Sequence, residues 1–247
     1  MASETDNVTV KKFTFTLSTP SGDLPPLSVA VQDLPTRLDE LVPLMQEICN
    51  KSVDLAVKRL GKGERITCRK GCGHCCRQVV PLSVPEMLFL TDYIASMEEN
   101  RRAALARRFS AAAKRLKAEG IIDDLLNAPS DQAALEAAER YFRKWIVCPF
   151  LEDDTCSIHA VRPFACREFN ATTPPALCND PFKNSVGRVT VTPKMTSVMA
   201  RLTARVLGEK PVLLPHILLT DRAALKACWS DAFPGIALFQ RLLQCFS

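Results

Sequence analysis

Cys68-Arg-Lys-Gly-Cys72-Gly-His-Cys75-Cys76 places four thiols, two glycines and a histidine in nine consecutive residues. Thiolates packed so closely repel one another unless a cation offsets them, so such a cluster points to bound metal. The glycines let the backbone turn tightly enough for several sulfurs to approach one point. Arg69, Lys70 and Arg77 flank the stretch, and positive charge there lowers thiol pKa values and balances an anionic centre. A second, looser set follows downstream, Cys148, Cys156, Cys166 and Cys178, in the pattern C-x7-C-x9-C-x11-C. All eight are candidate metal ligands, provided the fold brings the two sets together.

The pair Cys75-Cys76 is informative. Adjacent side chains diverge, so one mononuclear ion does not readily take both, whereas a polynuclear cluster or two neighbouring sites can. Eight thiols are also twice what a single four-coordinate centre needs. Cys148-Pro149 matches the Cys-Pro ending of bacterial ferredoxin ligand runs. An iron–sulfur cluster, 4Fe–4S, is the favoured cofactor, with structural zinc as the alternative that suits soft thiolates equally well.

Size and composition set the frame. The chain has 247 residues, of which 47% are hydrophobic, so it can bury a core without disulfide staples. Its first nine residues are polar and lack the apolar segment of an export signal. No run approaches the roughly 18 apolar residues of a membrane span. The expectation is a cytoplasmic protein with no membrane contact. In such a compartment the eight grouped cysteines, of eleven in all, are read as metal ligands rather than disulfides. Cys49, Cys228 and Cys245 stand alone on helical patterns and are read as small buried hydrophobes. The formal charge of +5 is mild, and few aromatics accompany the basic residues, so nucleic acid is not an expected partner. A protein or small-molecule partner is left unspecified.

The scaffold reads as mainly α. Phe13, Phe15 and Leu17 alternate with polar residues, and Leu27, Val29 and Val31 resume the alternation after turn-forming residues, which predicts an N-terminal β-hairpin. Helical periodicity covers Leu34 to Leu60, with Pro43 as a kink or restart and Gly61-Lys-Gly63 as the end. Ser83-Val-Pro-Glu86 is a capping box that opens a helix to about Met97. Further helices are expected over Asn100 to Glu119 and from Ser130 to Ile146. In the first of these, Arg101, Arg108 and Arg115 recur every seven residues and are read as a solvated face. Cys148 to Asp180 reads as irregular with one helical turn, with Asp153-Asp154 as a turn and Arg188 to Thr192 as a short strand. Helices over Pro193 to Leu207, from Thr220 to Ala232, and over Pro234 to Phe246 complete the chain. The expected organisation is residues 1–33 as a β-hairpin and residues 34–182 as a cysteine-cluster metal-binding domain with inserted helices. Residues 183–247 form a helical part packed on the same domain, and two irregular cysteine-rich loops carry the chemistry.

These residues resemble a known family. Cys68-x3-Cys72-x2-Cys75-Cys76 is similar to the cluster of the YkgJ-type proteins, a zinc- or iron-chelating domain. That family's second signature looks like Cys-Pro-Phe-Leu, Cys-Ser-Ile-Tyr, Arg-Pro and Cys-Arg. Here it reads Cys148-Pro-Phe-Leu151, Cys156-Ser-Ile-His159, Arg162-Pro163 and Cys166-Arg167. Both halves occur in the right order, over roughly Cys68 to Cys178. The sequence departs at His159, where the family usually has an aromatic residue. The resemblance implies zinc, iron or iron–sulfur binding at the matching cysteines. A relative by motif, flagellin lysine N-methylase, joins a similar cluster to methyl transfer, but no glycine-rich nucleotide loop follows a strand here.

Among the remaining candidates, His74 and His159 are either ligands or ordinary loop residues. His216, in an apolar run, reads as a packed core histidine. Arg162 and Arg167 bracket Cys166 and are the candidate cofactor-binding residues, as donors to cluster sulfur or to an anionic substrate. The competing reading for both is a salt bridge to Glu168, Glu152 or Asp153 that shapes the loop. No Ser/His/Asp or Cys/His catalytic arrangement is visible, and the sequence leaves enzyme and binding module both open.

Overall fold

The computed structural model describes residues 8–19, 22–23, 25–207, 212–213 and 232–246. The helix expected after Thr220, with His216 and Cys228, lies outside the described residues. Within them the protein is mainly helical, as its composition and periodicity predict.

The N-terminal alternation folds as expected. Strand β1 (Val10–Phe15) pairs antiparallel with β2 (Leu27–Gln32), with Phe13 opposite Val29 and Phe15 opposite Leu27. Period-two spacing puts these four apolar side chains on one face. That face rests on a helix from the far end of the chain, here α8 (Gly235–Leu243). Phe13 and Phe15 meet the Phe239 ring at 5.0 and 6.1 Å between centroids. Gly235 makes the approach feasible: a Cβ there would stand 2.3 Å from the Gln32 carbonyl oxygen.

Helix α1 (Val42–Lys58) is shorter than its periodicity suggests. Leu38–Leu41 forms a separate 3-10 turn, and Pro43 falls in the first turn of α1, where its missing N–H costs nothing. Helix α7 (Met195–Leu207) packs with α1, β2, α8 and Phe164 in one core that includes Met45, Ile48, Cys49, Val198 and Leu202.

The capping box predicted at Ser83 opens α2 (Val84–Ala95). The Glu86 N–H donates to Ser83 Oγ at 3.4 Å, and Glu86 Oε2 accepts from the Ser83 N–H at 2.9 Å. The other carboxylate oxygen accepts from the Phe164 N–H at 2.9 Å, which ties the start of α2 to the short helix α6 (Phe164–Glu168). Burial pushes the Glu86 carboxyl up to about 7.

Between the two cysteine segments come α3 (Glu99–Ala118), α4 (Ile121–Leu126) and α5 (Asp131–Arg143). Gly120, at φ 65°, breaks α3 from α4. Ser130 Oγ caps α5 by accepting from the Ala133 N–H at 3.2 Å. The short strand expected over Arg188 to Thr192 reduces to one bridge, Ala171 to Arg188. The core under α2 and α3 includes Leu90, Leu105, Phe109, Phe150 and Ile158, with Cys148, Cys156 and Cys166 packed against its edge. The second cysteine segment is therefore seated on the inserted helices. Among the described residues no helix is long and apolar enough to cross a membrane.

Candidate metal centre

The first cysteine stretch is a run of tight turns. Cys72 N–H donates to the Arg69 carbonyl, Cys76 N–H to Gly73, and Gln78 N–H to Cys75, at 3.0–3.1 Å. Gly71 takes φ 80°, a left-handed conformation that favours glycine. Gly73 serves a different need: a Cβ there would stand 2.9 Å from Leu151 Cδ1 in the second cysteine segment.

That second segment begins as a miniature hairpin, Leu151–Glu152 against Thr155–Cys156. Asp153 and Asp154 form its turn, both at positive φ (47° and 54°), as two-residue hairpin turns of type I′ require. The chain then passes through a 3-10 turn at His159–Val161, helix α6 carrying Cys166, and a 3-10 turn at Pro175–Asn179 carrying Cys178.

Backbone hydrogen bonds stitch the two segments together at both ends. Cys148 N–H donates to the Cys76 carbonyl at 2.7 Å. Thr67 N–H donates to the Ala171 carbonyl at 2.8 Å and Thr67 Oγ1 to the Thr173 carbonyl at 2.6 Å. The Ala171 N–H donates to Cys68 Sγ at 3.3 Å. The two cysteine segments, far apart in the chain, thus lie side by side, and all ten described cysteines are free thiols.

The thiols interact with one another. Burial pushes Cys148 up to about 12 and Cys178 up to about 11, and raises Cys68, Cys156 and Cys166. Cys75 is raised by its hydrogen bond with the Cys76 thiol and by burial. Mutual repulsion adds to each shift: Cys178 feels Cys68, Cys75 and Cys72, while Cys166 feels Cys148, Cys75 and Cys156. These thiols resist ionising together unless a cation joins them. As placed, no group of three or more Cys, His, Asp or Glu side chains among the described residues stands close enough together to hold a metal ion. The donor chemistry, free soft sulfurs with arginines nearby, fits zinc or iron.

The two candidate arginines part company. Arg162 is held by a hydrogen bond between its Nη1 and the His159 ring, and its positive charge acts on Cys68, Cys75, Cys156 and Cys166. Its buried Nε has no partner among the described residues. Burial and the charges of Arg162 and Arg167 keep the His159 pKa below the usual histidine value, so the neutral ring can accept from Arg162. Arg167 is buried and engaged with protein throughout. It donates to the Arg162 carbonyl at 2.9 Å, to Asn50 Oδ1 at 2.9 Å and to the Ala160 carbonyl. Neither arginine makes the salt bridge that was the competing expectation: Glu152 pairs with Arg108, and Glu168 accepts from Thr196. His74 is half-buried within its loop.

Two sets of residues make contacts that the sequence reading did not assign to them. The arginines of α3, read as a solvated face, each donate to the segment below. Arg101 reaches the Ser157 carbonyl, Arg108 the Leu151 carbonyl, and Arg115 the Lys144 carbonyl, at 3.4, 3.5 and 2.8 Å. The seven-residue repeat sets them along one side of the helix but does not name their acceptors. Arg77 is also buried. Its guanidinium lies 3.7 Å from the centroid of the Trp145 ring and 4.8 Å from that of Phe142, and Nη2 donates to the Asn179 carbonyl beside Cys178. By contrast, an open groove of about 860 Å³ along α4 and α5 has no cysteine in its lining, and its Arg140 and Asp124 are paired with each other.

No curated protein and no solved structure matches the chain. A family model does match, over residues 67–192, just over half of the sequence. Its name is CxxCxxCC, and its description is "Putative zinc- or iron-chelating domain". The first gap in this chain, which contains Gly71, holds three residues where that name has two. With both cysteine segments inside the match, the chain belongs to the CxxCxxCC family of zinc- or iron-chelating domains.

Proposed function

We propose that this protein holds an iron–sulfur centre, of the 4Fe–4S type, on thiols drawn from Cys68, Cys72, Cys75, Cys76, Cys148, Cys156, Cys166 and Cys178. The observation that carries the reading is the number of free sulfurs in one neighbourhood. Cys75 interacts with Cys76 in its own segment and with Cys166 and Cys178 in the other, and eight donors exceed what one structural zinc ion uses. Arg162 supports it, because a positive charge that acts on several thiols offsets the negative charge of a thiolate-ligated cluster. The free thiols suit a reducing, cytoplasmic setting. When bound, such a cluster supplies one-electron chemistry. The chain's own residues would orient it, pack it against the core under α2 and α3, and place Arg162 beside it. Redox work, or cofactor-assisted modification of a protein, is the role we assign.

A structural-zinc protein presenting an interaction surface is the second reading, favoured by Arg167 and the stitches at Thr67 and Cys148, which read as loop-shaping devices. Protein purified without air separates the two. Brown colour with visible charge-transfer absorbance and bound iron with sulfide supports the first. Colourless protein with stoichiometric zinc overturns it.

A further inference from the structure

We propose that the short stretch between α5 and Cys148 is a protein-docking surface, centred on Trp145 and Val147. Its occupant is a segment of a partner protein that carries a large apolar side chain flanked by carboxylates. The surface does not depend on which metal the cysteines hold.

Trp145 stands just past the end of α5 and is 64% exposed, the most exposed large apolar side chain among the described residues. Val147, two residues on, is 45% exposed. Ile146 between them is buried, in the core that holds Leu116, Ile121 and Tyr141. The stretch is therefore anchored by its middle residue, and both apolar neighbours are left facing water. Trp145 also takes φ 54°, a left-handed conformation in which glycine is the unstrained choice at a helix end. The ring is nonetheless held firmly, because the buried Arg77 guanidinium stacks 3.7 Å from its centroid. A large aromatic side chain that is fixed beforehand loses little freedom when a partner seats on it. Tryptophan and arginine are also the residue types that carry most binding energy at protein interfaces.

Charge decides what covers the ring. Arg143 and Lys144, just before the tryptophan, pair with Glu139, Asp180 and Glu119, and Lys183 also approaches Asp180 at 3.9 Å. Those three carboxylates are thereby used. Two further guanidiniums make no ion pair among the described residues. Arg77, beneath the ring, donates through Nη2 to the Asn179 carbonyl, and its buried Nη1 has no partner. Arg115 of α3 donates to the Lys144 carbonyl at 2.8 Å. The exposed apolar pair thus lies in a surplus of positive charge. A basic partner is repelled there, whereas carboxylates around an apolar side chain answer the charge while that side chain covers the ring.

Calorimetric titration of the full, metal-loaded chain tests the surface, with two acetylated octapeptides as probes. Both have Leu-Phe at the centre, one with glutamates on either side and the other with lysines. The glutamate peptide should bind, and more weakly as salt is raised. Trp145→Ala should weaken it about 30-fold or more. Arg115→Glu should weaken it severalfold and flatten the salt dependence. Absence of binding by the glutamate peptide, equal binding of the lysine peptide, or undiminished binding by Trp145→Ala each overturns the proposal. Two controls identify a different occupant and overturn it as well. One is self-association of the wild type, in light scattering, that Trp145→Ala abolishes. The other is retention on phosphatidylcholine–phosphatidylserine vesicles that the same variant loses. Should Trp145→Ala fail to fold, Arg115→Glu on the surface of α3 decides in its place: unchanged affinity and salt dependence overturn the proposal.

Discussion

Arg108 of α3 and Glu152 of the second cysteine hairpin form an ion pair at 2.6 Å, and the same guanidinium donates to the Leu151 carbonyl next door. The contact links an inserted helix to the loop between Cys148 and Cys156. Both side chains are more than a third exposed, so the pair itself contributes little to global stability, on the order of 0–1 kcal/mol. Its larger effect is to hold the hairpin in register over the thiols. Arg108→Met should therefore shift the urea midpoint only slightly while metal transfer to a chelator speeds up severalfold. Unchanged release kinetics would show that the hairpin needs no such support.

Cysteine substitutions should sort by place. Cys72→Ser and Cys148→Ser remove candidate ligands and should lose bound metal and soluble yield together. Cys49 is fully buried in the core of α1 and α7, where burial lifts its thiol to about 12. Cys49→Ala should keep the wild-type metal content and lose about 1–2 kcal/mol to the missing packing. Metal analysis beside a denaturation curve checks all three, and equal metal retention in every variant would remove the ligand assignment.

Local signals were read correctly where the interaction they encode is local. The capping box joins residues three apart, and the N-terminal hairpin needs only period-two alternation across a short turn. The cysteine pattern was legible because few other roles suit so many clustered thiols. The arginines of α3 were not, since their acceptors are backbone carbonyls 29 to 56 residues away and a carbonyl leaves no mark in the sequence. The same holds for Arg77, whose neighbours Phe142, Trp145 and Asn179 come from other parts of the chain. Helix α4 was passed over because six residues hold too few turns to show a period. The separate roles of Arg162 and Arg167 depend on which way each side chain leaves a short helical turn, and that is decided by packing.

Glu86 should give the protein a distinctive pH response. Its carboxyl is buried, and its pKa stands at about 7 against 4.5 for the free group. The folded state therefore binds more protons than the unfolded state between those values, and stability falls as pH rises through that window. The shift corresponds to roughly 3 kcal/mol at most. Metal binding to the thiols also varies with pH, so the comparison must be between variants. Glu86→Gln cannot ionise, and its amide also meets the Ser83 N–H unfavourably. It should be less stable than wild type at pH 5, with the gap narrowing toward pH 8. Parallel stability profiles for the two proteins would contradict the assignment.

Two glycines should separate folding from metal retention. Gly235→Ala drives a methyl group into the Gln32 carbonyl at 2.3 Å, a backbone atom that cannot swing aside. The hairpin must then move off α8, at a cost of about 2 kcal/mol or more. The thiols lie elsewhere, so metal release from the folded fraction should stay at the wild-type rate. Gly73→Ala meets the tip of Leu151 at 2.9 Å, a flexible side chain that can yield for about 1 kcal/mol. Leu151 is paired with Cys156, so its displacement is passed directly to a candidate ligand. Gly73→Ala should therefore fold nearly as well as wild type and surrender its metal faster. A chelator assay run beside thermal denaturation reads both effects, and the opposite pattern would place the weak point of the metal centre away from the contact between the two cysteine loops.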